Sequence, residues 1–211
     1  AVLVPWQCGQ EFGNSVAEIL SGKLSPSGKL PMTWPVRYSD VSTYGNFPAD
    51  GLYVPVFADG LDKYKNQKNV GYTLYEEGIY VGYRYFDSFK KQVSYPFGYG
   101  LSYTTFGYGK PMVSDKGESV EVSVKVTNTG KVAGKEVLQV YVTAPKGAVD
   151  KPAQELKTFA KTRVLAPGES QTLTMTVQKA DLASFNTKES AWITDAGQYT
   201  FHVGTSSRDI K

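Results

Sequence analysis

The sequence predicts a mainly β protein in which an immunoglobulin-like sandwich follows part of an α/β domain and a long linker arm. Three observations support this prediction. Residues 109–211 read as about seven short strands with frequent turns, which is typical of a sandwich. Residues 1–35 read as a buried strand followed by an amphipathic helix, which is typical of an α/β unit. Residues 36–108 are rich in aromatic side chains and show little periodicity.

The first region, residues 1–35, reads as a strand, a helix and a loop. The apolar residues 2–4 predict a short strand that is buried on both faces. Gly22 stands where a helix commonly ends, and Pro26 follows it. One strand and one helix cannot form a domain, so we expect their partners to lie in sequence beyond these 211 residues. Within residues 11–21 the apolar side chains share one helical face: Phe12, Val16, Ile19 and Leu20.

The second region, residues 36–108, holds thirteen of the fifteen tyrosines and is interrupted by Gly, Pro, Asn and Asp. Side chains alternate clearly only over residues 80–86, which predicts one strand. Irregular connections of this length are uncommon unless they are functional or cover a neighbouring domain. We therefore expect a linker arm with one strand that packs on another domain through its aromatic rings.

The third region, residues 109–211, carries the alternation of half-buried strands. Valine occupies every second position from 120 to 126, with polar residues between, so one face should be buried and the other wet. Asn128-Thr129-Gly130 marks a turn. The strand Val137–Thr143 is more apolar on both faces. Further strands are predicted at residues 156–164, 173–177, 192–193 and 199–203. A sandwich of this kind implies no activity by itself.

Composition argues against several classes of protein. Hydrophobic residues make up 41% and charged residues 20% of the chain, as in ordinary globular domains, and the net charge is +3. The basic residues are scattered singly apart from Lys90-Lys91, which argues against a nucleic-acid interface. No apolar run approaches the ~20 residues of a membrane span. Neither nucleic acid nor a membrane is therefore an expected partner.

Cysteine and histidine indicate neither a disulfide framework nor a metal site. Cys8 is the only cysteine and is expected to be a small, buried apolar side chain. No Cys/His cluster has the spacing of a zinc site, and no glycine-rich loop has the spacing of a phosphate site, so no cofactor is expected. The absence of an Asn-X-Ser/Thr sequon and the single cysteine fit a bacterial origin. The sequence does not determine the compartment; a periplasmic or extracellular location is the expectation.

Several sequence blocks form a recognisable set. They are WQCGQEFGN at 6–14, AEILSG at 17–22, SPSGKLP at 25–31, EGIYVGYRYFD at 77–87 and YPFGYGLSYTTF at 95–106. These blocks resemble glycoside hydrolase family 3 of the β-glucosidase type. Blocks at 126–130, 134–137, 155–159 and 165–169 resemble the fibronectin-III-like domain of that family. The resemblance implies that residues 1–35 end the family's α/β sandwich domain and residues 109–211 form its fibronectin-III-like domain.

The resemblance also implies an activity for the parent protein: a retaining, exo-acting β-glycosidase that removes terminal β-linked sugars, above all glucose, from oligosaccharides. Such enzymes work by double displacement with two carboxyl groups. In the family, the nucleophile is an aspartate on a separate (β/α) barrel, and the acid/base is usually a glutamate before the first block found here. Neither maps onto this chain. We therefore expect a non-catalytic scaffold whose partners are the barrel and the rest of the α/β sandwich. The alternative is a stand-alone carbohydrate-binding or adhesion module.

Aromatic residues in the least regular part of the arm are the candidate substrate-binding residues. Aromatic faces stack on sugar rings, so Tyr44, Phe47, Tyr53 and Phe57 are the residues that we expect to form a wall on the leaving-group side of a sugar site. The competing interpretation is that the tyrosines supply apolar area for docking on another domain.

The remaining polar candidates are interpreted as non-catalytic. Glu11 should stabilise the start of its helix, and the adjacent glutamates at 76–77 should be surface charges. Arg84 should stack on a tyrosine or pair with Asp87 or another acid. His202 should face solvent on the last strand, because Phe201 and Val203 beside it face inward.

Overall fold

The computed structural model describes residues 2–44 and 75–211, which form two α-helices, two 3-10 helices and twelve strands. The helices are α1 (Phe12–Leu20) and α2 (Tyr83–Ser88), and the 3-10 helices are Tyr38–Asp40 and Lys179–Leu182. The strands are β1 (Trp34–Pro35), β2 (Val93–Tyr95), β3 (Phe106–Tyr108), β4 (Met112–Asp115), β5 (Ser119–Asn128), β6 (Val137–Thr143), β7 (Glu155–Lys161), β8 (Ser170–Gln178), β9 (Ser184–Asn186), β10 (Ala191–Ile193), β11 (Thr200–Ser206) and β12 (Asp209–Ile210).

The C-terminal part is a sandwich of two four-stranded antiparallel sheets. In the first sheet, β5 pairs with β8 along one edge, while β3 and β4 pair with successive parts of its other edge. The second sheet has the order β12-β11-β6-β7. This architecture confirms the predicted mainly β fold with a C-terminal sandwich.

The core of the sandwich forms between the two sheets. The alternating valines of β5 are all buried, and the polar residues between them are at most partly covered, as the period of two predicts. Most of β6 is buried on both faces, because one face lies in the core and the other lies under the arm. The core side chains of the two sheets include Val122, Val124, Leu138, Val140, Leu173, Met175 and Val203.

Most of the predicted elements agree with the structure. Helix α1 fills most of the predicted range 11–21, and Gly22 after it has a φ of +78°, the left-handed conformation that glycine adopts at a helix end. The predicted strands at 137–143, 173–177, 192–193 and 199–203 correspond to β6, β8, β10 and β11. Strand β7 ends at Lys161 and is therefore shorter than the predicted 156–164.

The predicted strand at residues 80–86 is wrong, because helix α2 covers most of this range. Gly82, with a φ of +56°, immediately precedes the helix, and the amide of Phe86 donates to the carbonyl of Gly82 at 3.2 Å. Alternating aromatic side chains cannot distinguish a strand from one short helical turn when nearly every position is bulky. Phe86 is the buried residue of this helix.

Two expectations for the start of the chain are also wrong. Residues 2–4 form no strand within the described part of the chain, and Val2 is 79% exposed. A strand requires a neighbour that completes its hydrogen bonds, and none of the described strands pairs with this segment. Cys8 is exposed rather than buried, and its thiol donates to the carbonyl of Pro5 at 2.7 Å.

No helix in residues 2–44 and 75–211 is long and apolar enough to cross a membrane.

Candidate functional site

The described chain has one densely bonded region outside the sandwich core, where residues 83–104 and 25–31 lie on β6, β7 and the turn after β11. We call this region the junction. Its centre is aromatic: the ring of Tyr83 stacks on Phe97 with centroids 4.8 Å apart and meets Tyr141 edge-on at 5.9 Å. The hydroxyl of Tyr83 accepts a hydrogen bond from the amide of Leu156 at 2.8 Å. Helix α2 is thereby tied to both β6 and β7.

A buried glutamine joins the same strand to the arm. Gln139 is 4% exposed, and its Nε2 donates to the carbonyls of Gly98 and Thr205 at 3.3 and 3.0 Å. Its Oε1 accepts from the hydroxyl of Tyr141. Gly98 has a φ of +81°, and a Cβ built there would lie 2.2 Å from the glutamine Oε1, so this position has neither the conformation nor the space for a side chain.

An ion pair fixes helix α2 to the end of the sandwich. The carboxylate of Asp87 accepts from Nε of Arg208 at 2.6 Å, and the side chain of Asp87 is only 9% exposed. Nη2 of Arg208 donates to the carbonyls of Phe86 and Lys91 at 3.0 and 2.8 Å. One guanidinium therefore neutralises a nearly buried acid and also donates to two backbone carbonyls, one in the last turn of α2 and one just after the helix.

A second ion pair ties residues 25–31 to the sandwich. Nζ of Lys29 lies 2.9 Å from Glu136, and the two side chains are 14% and 11% exposed. The other Glu136 oxygen accepts from the hydroxyl of Tyr108 at 2.7 Å. Burial and the adjacent carboxylate raise the pKa of Tyr108, so this hydroxyl stays a donor. Nζ of Lys161 donates to the carbonyl of Ser27 at 3.1 Å, and burial lowers the pKa of Lys161.

Backbone contacts complete the junction. The amide of Leu30 donates to the carbonyl of Tyr99, and the amide of Gly98 donates to the carbonyl of Leu30, both at 2.8 Å. A Cβ built on Gly100 would lie 2.2 Å from the carbonyl oxygen of Gly28. Residues 28–30 and 98–100 therefore lie against each other with no space for an added methyl group.

We expect Gly100→Ala to displace residues 25–31 from the junction and to lower the free energy of unfolding by about 1–3 kcal/mol, the usual cost of an extra methyl group in a packed site. The obstacle is a backbone oxygen, which cannot rotate away as a side chain can. Thermal unfolding and the rate of proteolysis within residues 20–36 measure the effect. Gly28→Ala is the matched control, because its Cβ would meet nothing within 4 Å. Equal behaviour of the two variants would contradict the close contact.

The candidate substrate-binding residues fall mostly outside the described residues. Phe47, Tyr53 and Phe57 lie in the part of the chain that the structure does not describe. Tyr44 is 53% exposed and meets the ring of Tyr38 edge-on, with centroids 5.4 Å apart. The sugar-stacking role of all four therefore stays a prediction.

The polar candidates have structural partners. Glu11 precedes α1 and accepts from Nδ2 of Asn14 at 2.6 Å. Arg84 pairs with Glu155 at 3.0 Å, which fits the expected pairing with another acid, whereas Asp87 pairs with Arg208. His202 is half-buried rather than solvent-facing, because Nε2 lies 2.9 Å from the hydroxyl of Thr143 on the neighbouring strand.

Nothing described resembles a catalytic or metal centre. The acids at the junction are engaged in the ion pairs given above, so they act as partners of fixed cations. Within residues 2–44 and 75–211, no three His, Cys, Asp or Glu side chains form a group that could hold a metal ion. The arrangement of the junction can hold two parts of a chain together.

Sequence reasoning missed Gln139 and Arg208, two residues of the sandwich that bond the arm. One signal for Gln139 was present: it is a polar residue within the apolar strand Val137–Thr143, and a buried amide in such a strand needs partners from elsewhere. Arg208 carried no comparable signal, since it is separated by 121 positions from Asp87.

Comparisons with known proteins agree with this architecture. Residues 1–83 match the model of the Glycosyl hydrolase family 3 C-terminal domain, and residues 136–207 match the model of the Fibronectin type III-like domain. Among curated proteins, Beta-glucosidase A of Butyrivibrio fibrisolvens is 42% identical over 233 residues, and Beta-glucosidase B of Emericella nidulans is 40% identical over 214. All of this chain is covered in both cases, but only 26% and 24% of those relatives.

Solved structures give the same result. The structure of beta-glucosidase 3B from Thermotoga neapolitana in complex with alpha-D-glucose is 50% identical, with a TM-score of 0.82 over 98% of this chain and 26% of that chain. The GH3 beta-glucosidase of Bifidobacterium adolescentis is 40% identical, with a TM-score of 0.83 over 97% of this chain and 28% of that chain. The chain thus spans about a quarter of the length of the relatives that it matches.

Proposed function

This chain belongs to glycoside hydrolase family 3, with residues 1–83 matching the model of its C-terminal domain and residues 136–207 matching a fibronectin-III-like domain, and we propose that it is the scaffolding portion of a β-glucosidase. The parent enzyme would remove terminal β-linked sugars, above all glucose, from oligosaccharides with retention of configuration. The observation that carries this proposal is the match of the whole chain to about a quarter of several β-glucosidases.

The two catalytic carboxyl groups of the parent are proposed to lie outside these 211 residues. Retaining enzymes hold a nucleophile and an acid/base about 5 Å apart with an open space for the sugar between them. At the junction, the carboxylates are instead committed to adjacent lysine and arginine side chains.

The role proposed for this portion is to hold the arm in a defined place relative to the rest of the enzyme. Helix α1 has an apolar face, yet none of its residues is buried in the described structure. Phe12 and Leu20 are 41% and 69% exposed. We propose that the remaining α/β sandwich covers this face and that the (β/α) barrel lies beyond it. The junction would then hold the arm and its aromatic residues in a fixed position on the C-terminal β-sandwich.

Activity assays on two forms of the protein test this proposal. The full-length gene product is expected to hydrolyse an aryl β-glucoside, and NMR of the first product should show the β-anomer, the signature of double displacement. The isolated 211-residue chain should show no turnover. Turnover by the isolated chain would contradict the scaffold role, and an inactive full-length protein would contradict the assignment to a β-glucosidase.

A stand-alone carbohydrate-binding or adhesion module is the less favoured alternative, because the matched relatives are long β-glucosidases.

A periplasmic or extracellular location remains part of the proposal, supported by the kind of substrate proposed for the parent. Fractionation of cells that express the full gene, with the aryl β-glucosidase activity followed in each fraction, would test the location.

A further inference from the structure

The hairpin of β9 and β10 carries an aromatic pair that the junction does not use. Phe185 and Trp192 are partners in the register of this separate two-stranded sheet. Their ring centroids are 5.5 Å apart, and their planes meet at 66°. Phe185 is 47% exposed. Trp192 is 72% exposed, compared with 50% for Trp6 near the start of the chain. Most of the Trp192 ring is left in water on a structured hairpin, beside a second aromatic ring, so the pair presents a continuous aromatic surface to a possible ligand.

The hairpin holds these rings in a defined position. The 3-10 helix that precedes β9 is anchored in the core by Leu182, which is 7% exposed. In the turn, the side-chain oxygen of the buried Asn186 accepts from the amide of Lys188 at 3.0 Å. After β10, the carboxylate of Asp195 pairs with Lys151. The platform is therefore fixed on both sides, and little conformational entropy would be lost when a ligand binds.

Size and charge discriminate between kinds of ligand. If each ring offers about 150–250 Å² when fully exposed, the two rings leave roughly 200–300 Å² of apolar surface in water. A standard protein interface needs about 800 Å² from each partner, so this surface is too small for one. The turn at 187–190 is exposed and carries one lysine and one glutamate, so its net charge is zero. A small neutral ligand with an apolar face and polar edges fits these properties.

We propose that Trp192 and Phe185 form a binding platform for a β-linked gluco-oligosaccharide chain. A β-linked glucose unit has C–H groups on its ring faces and hydroxyls around its edge. A face can stack on the exposed rings, while the edge reaches the polar side chains of Lys188, Glu189 and Ser190 in the adjacent turn. The class of ligand rests on the proposed function, since the parent enzyme acts on the same class of sugar chain.

The test uses the full-length protein and a soluble mixed-linkage β-glucan cast in a native gel, with retardation compared to a gel without glucan. Trp192→Gln should weaken retardation by roughly tenfold, because the larger stacking surface is removed. Trp192→Tyr keeps an aromatic face and should retain most of the binding, which separates stacking from damage to the hairpin. Phe159→Gln is the matched control, because Phe159 is 65% exposed on β7 of the same sandwich.

Three results would overturn the platform. The Trp192→Gln protein could be retarded as strongly as the wild type, or the Phe159→Gln protein could lose as much retardation as Trp192→Gln. Light scattering could also show that the Trp192→Gln protein has a different molar mass from the wild type, which would make Trp192 a contact between copies. Hydrolysis of an aryl β-glucoside by the wild-type protein and by the Phe159→Gln protein tests the proposed function separately. An active enzyme without Trp192-dependent retardation rejects the platform alone, and retardation without hydrolysis rejects the proposed function alone.

Discussion

Tyr141→Ala is expected to lower the free energy of unfolding of the sandwich by about 3–5 kcal/mol, the cost typical of removing a large buried ring. Tyr141 is fully buried on the face of β6 that the arm covers, and its ring meets Tyr83 edge-on. The truncation removes this packing and leaves Oε1 of Gln139 without its hydroxyl donor in a buried site. Both the sandwich and the docking of helix α2 should therefore weaken.

Denaturation in urea measures the loss for Tyr141→Ala, and limited proteolysis of the arm reports its docking. Tyr141→Phe is the graded control, because it keeps the ring and removes only the hydroxyl, at a cost of about 1 kcal/mol. Burial raises the pKa of Tyr141, so its hydroxyl remains a donor throughout the accessible range of pH. Equal stability of the alanine and phenylalanine variants would show that packing of the ring against Tyr83 contributes nothing, and would contradict the expected loss.

Arg208→Met is expected to release helix α2 from the sandwich and to cost about 3 kcal/mol, the lower end of the range for removing one partner of a buried ion pair. The lower end applies because Arg208 itself is 32% exposed, although Asp87 is only 9% exposed. The methionine keeps the apolar stem but removes the cation beside a nearly buried carboxylate and one donor to each of the carbonyls of Phe86 and Lys91.

Amide hydrogen exchange across residues 83–91 measures the release of the helix. Asp87→Asn combined with Arg208→Met should recover part of the stability, since no uncompensated charge is then buried. Arg163→Met is the matched control: Arg163 pairs with Glu169 at the surface, with side chains 52% and 41% exposed, and its loss should leave exchange in α2 unchanged. Wild-type exchange in α2 of the Arg208→Met protein would contradict the role given to this ion pair.

The strands of the sandwich were largely predictable because their pattern is local. The valines at alternate positions from 120 to 126 face the core, and the largely apolar β6 is buried on both faces. The end of α1 at Gly22 was predictable for the same reason, since a helix end is determined by a few neighbouring residues. The family could also be inferred from ordered sequence blocks, and the comparisons confirm it.

The errors occurred where the conformation depends on distant residues. Residues 2–4 have the composition of a buried strand, but no described strand pairs with them. Residues 83–88 form a helix that begins directly after Gly82, whose φ is +56°, and that buries Phe86. Exposure of Cys8 and partial burial of His202 depend likewise on what lies opposite them in space.

The sandwich, the first helix and the family could be inferred from the sequence alone, because hydrophobic period, turn residues and sequence blocks are read over short stretches of chain. The way in which the junction is held together depends instead on the tertiary structure. Asp87 and Arg208 are 121 positions apart, Tyr83 and Tyr141 lie in different elements, and Lys29 meets Glu136 across the junction. Ion pairs and ring contacts act over a few ångströms, so folding must bring these residues together before either interaction exists.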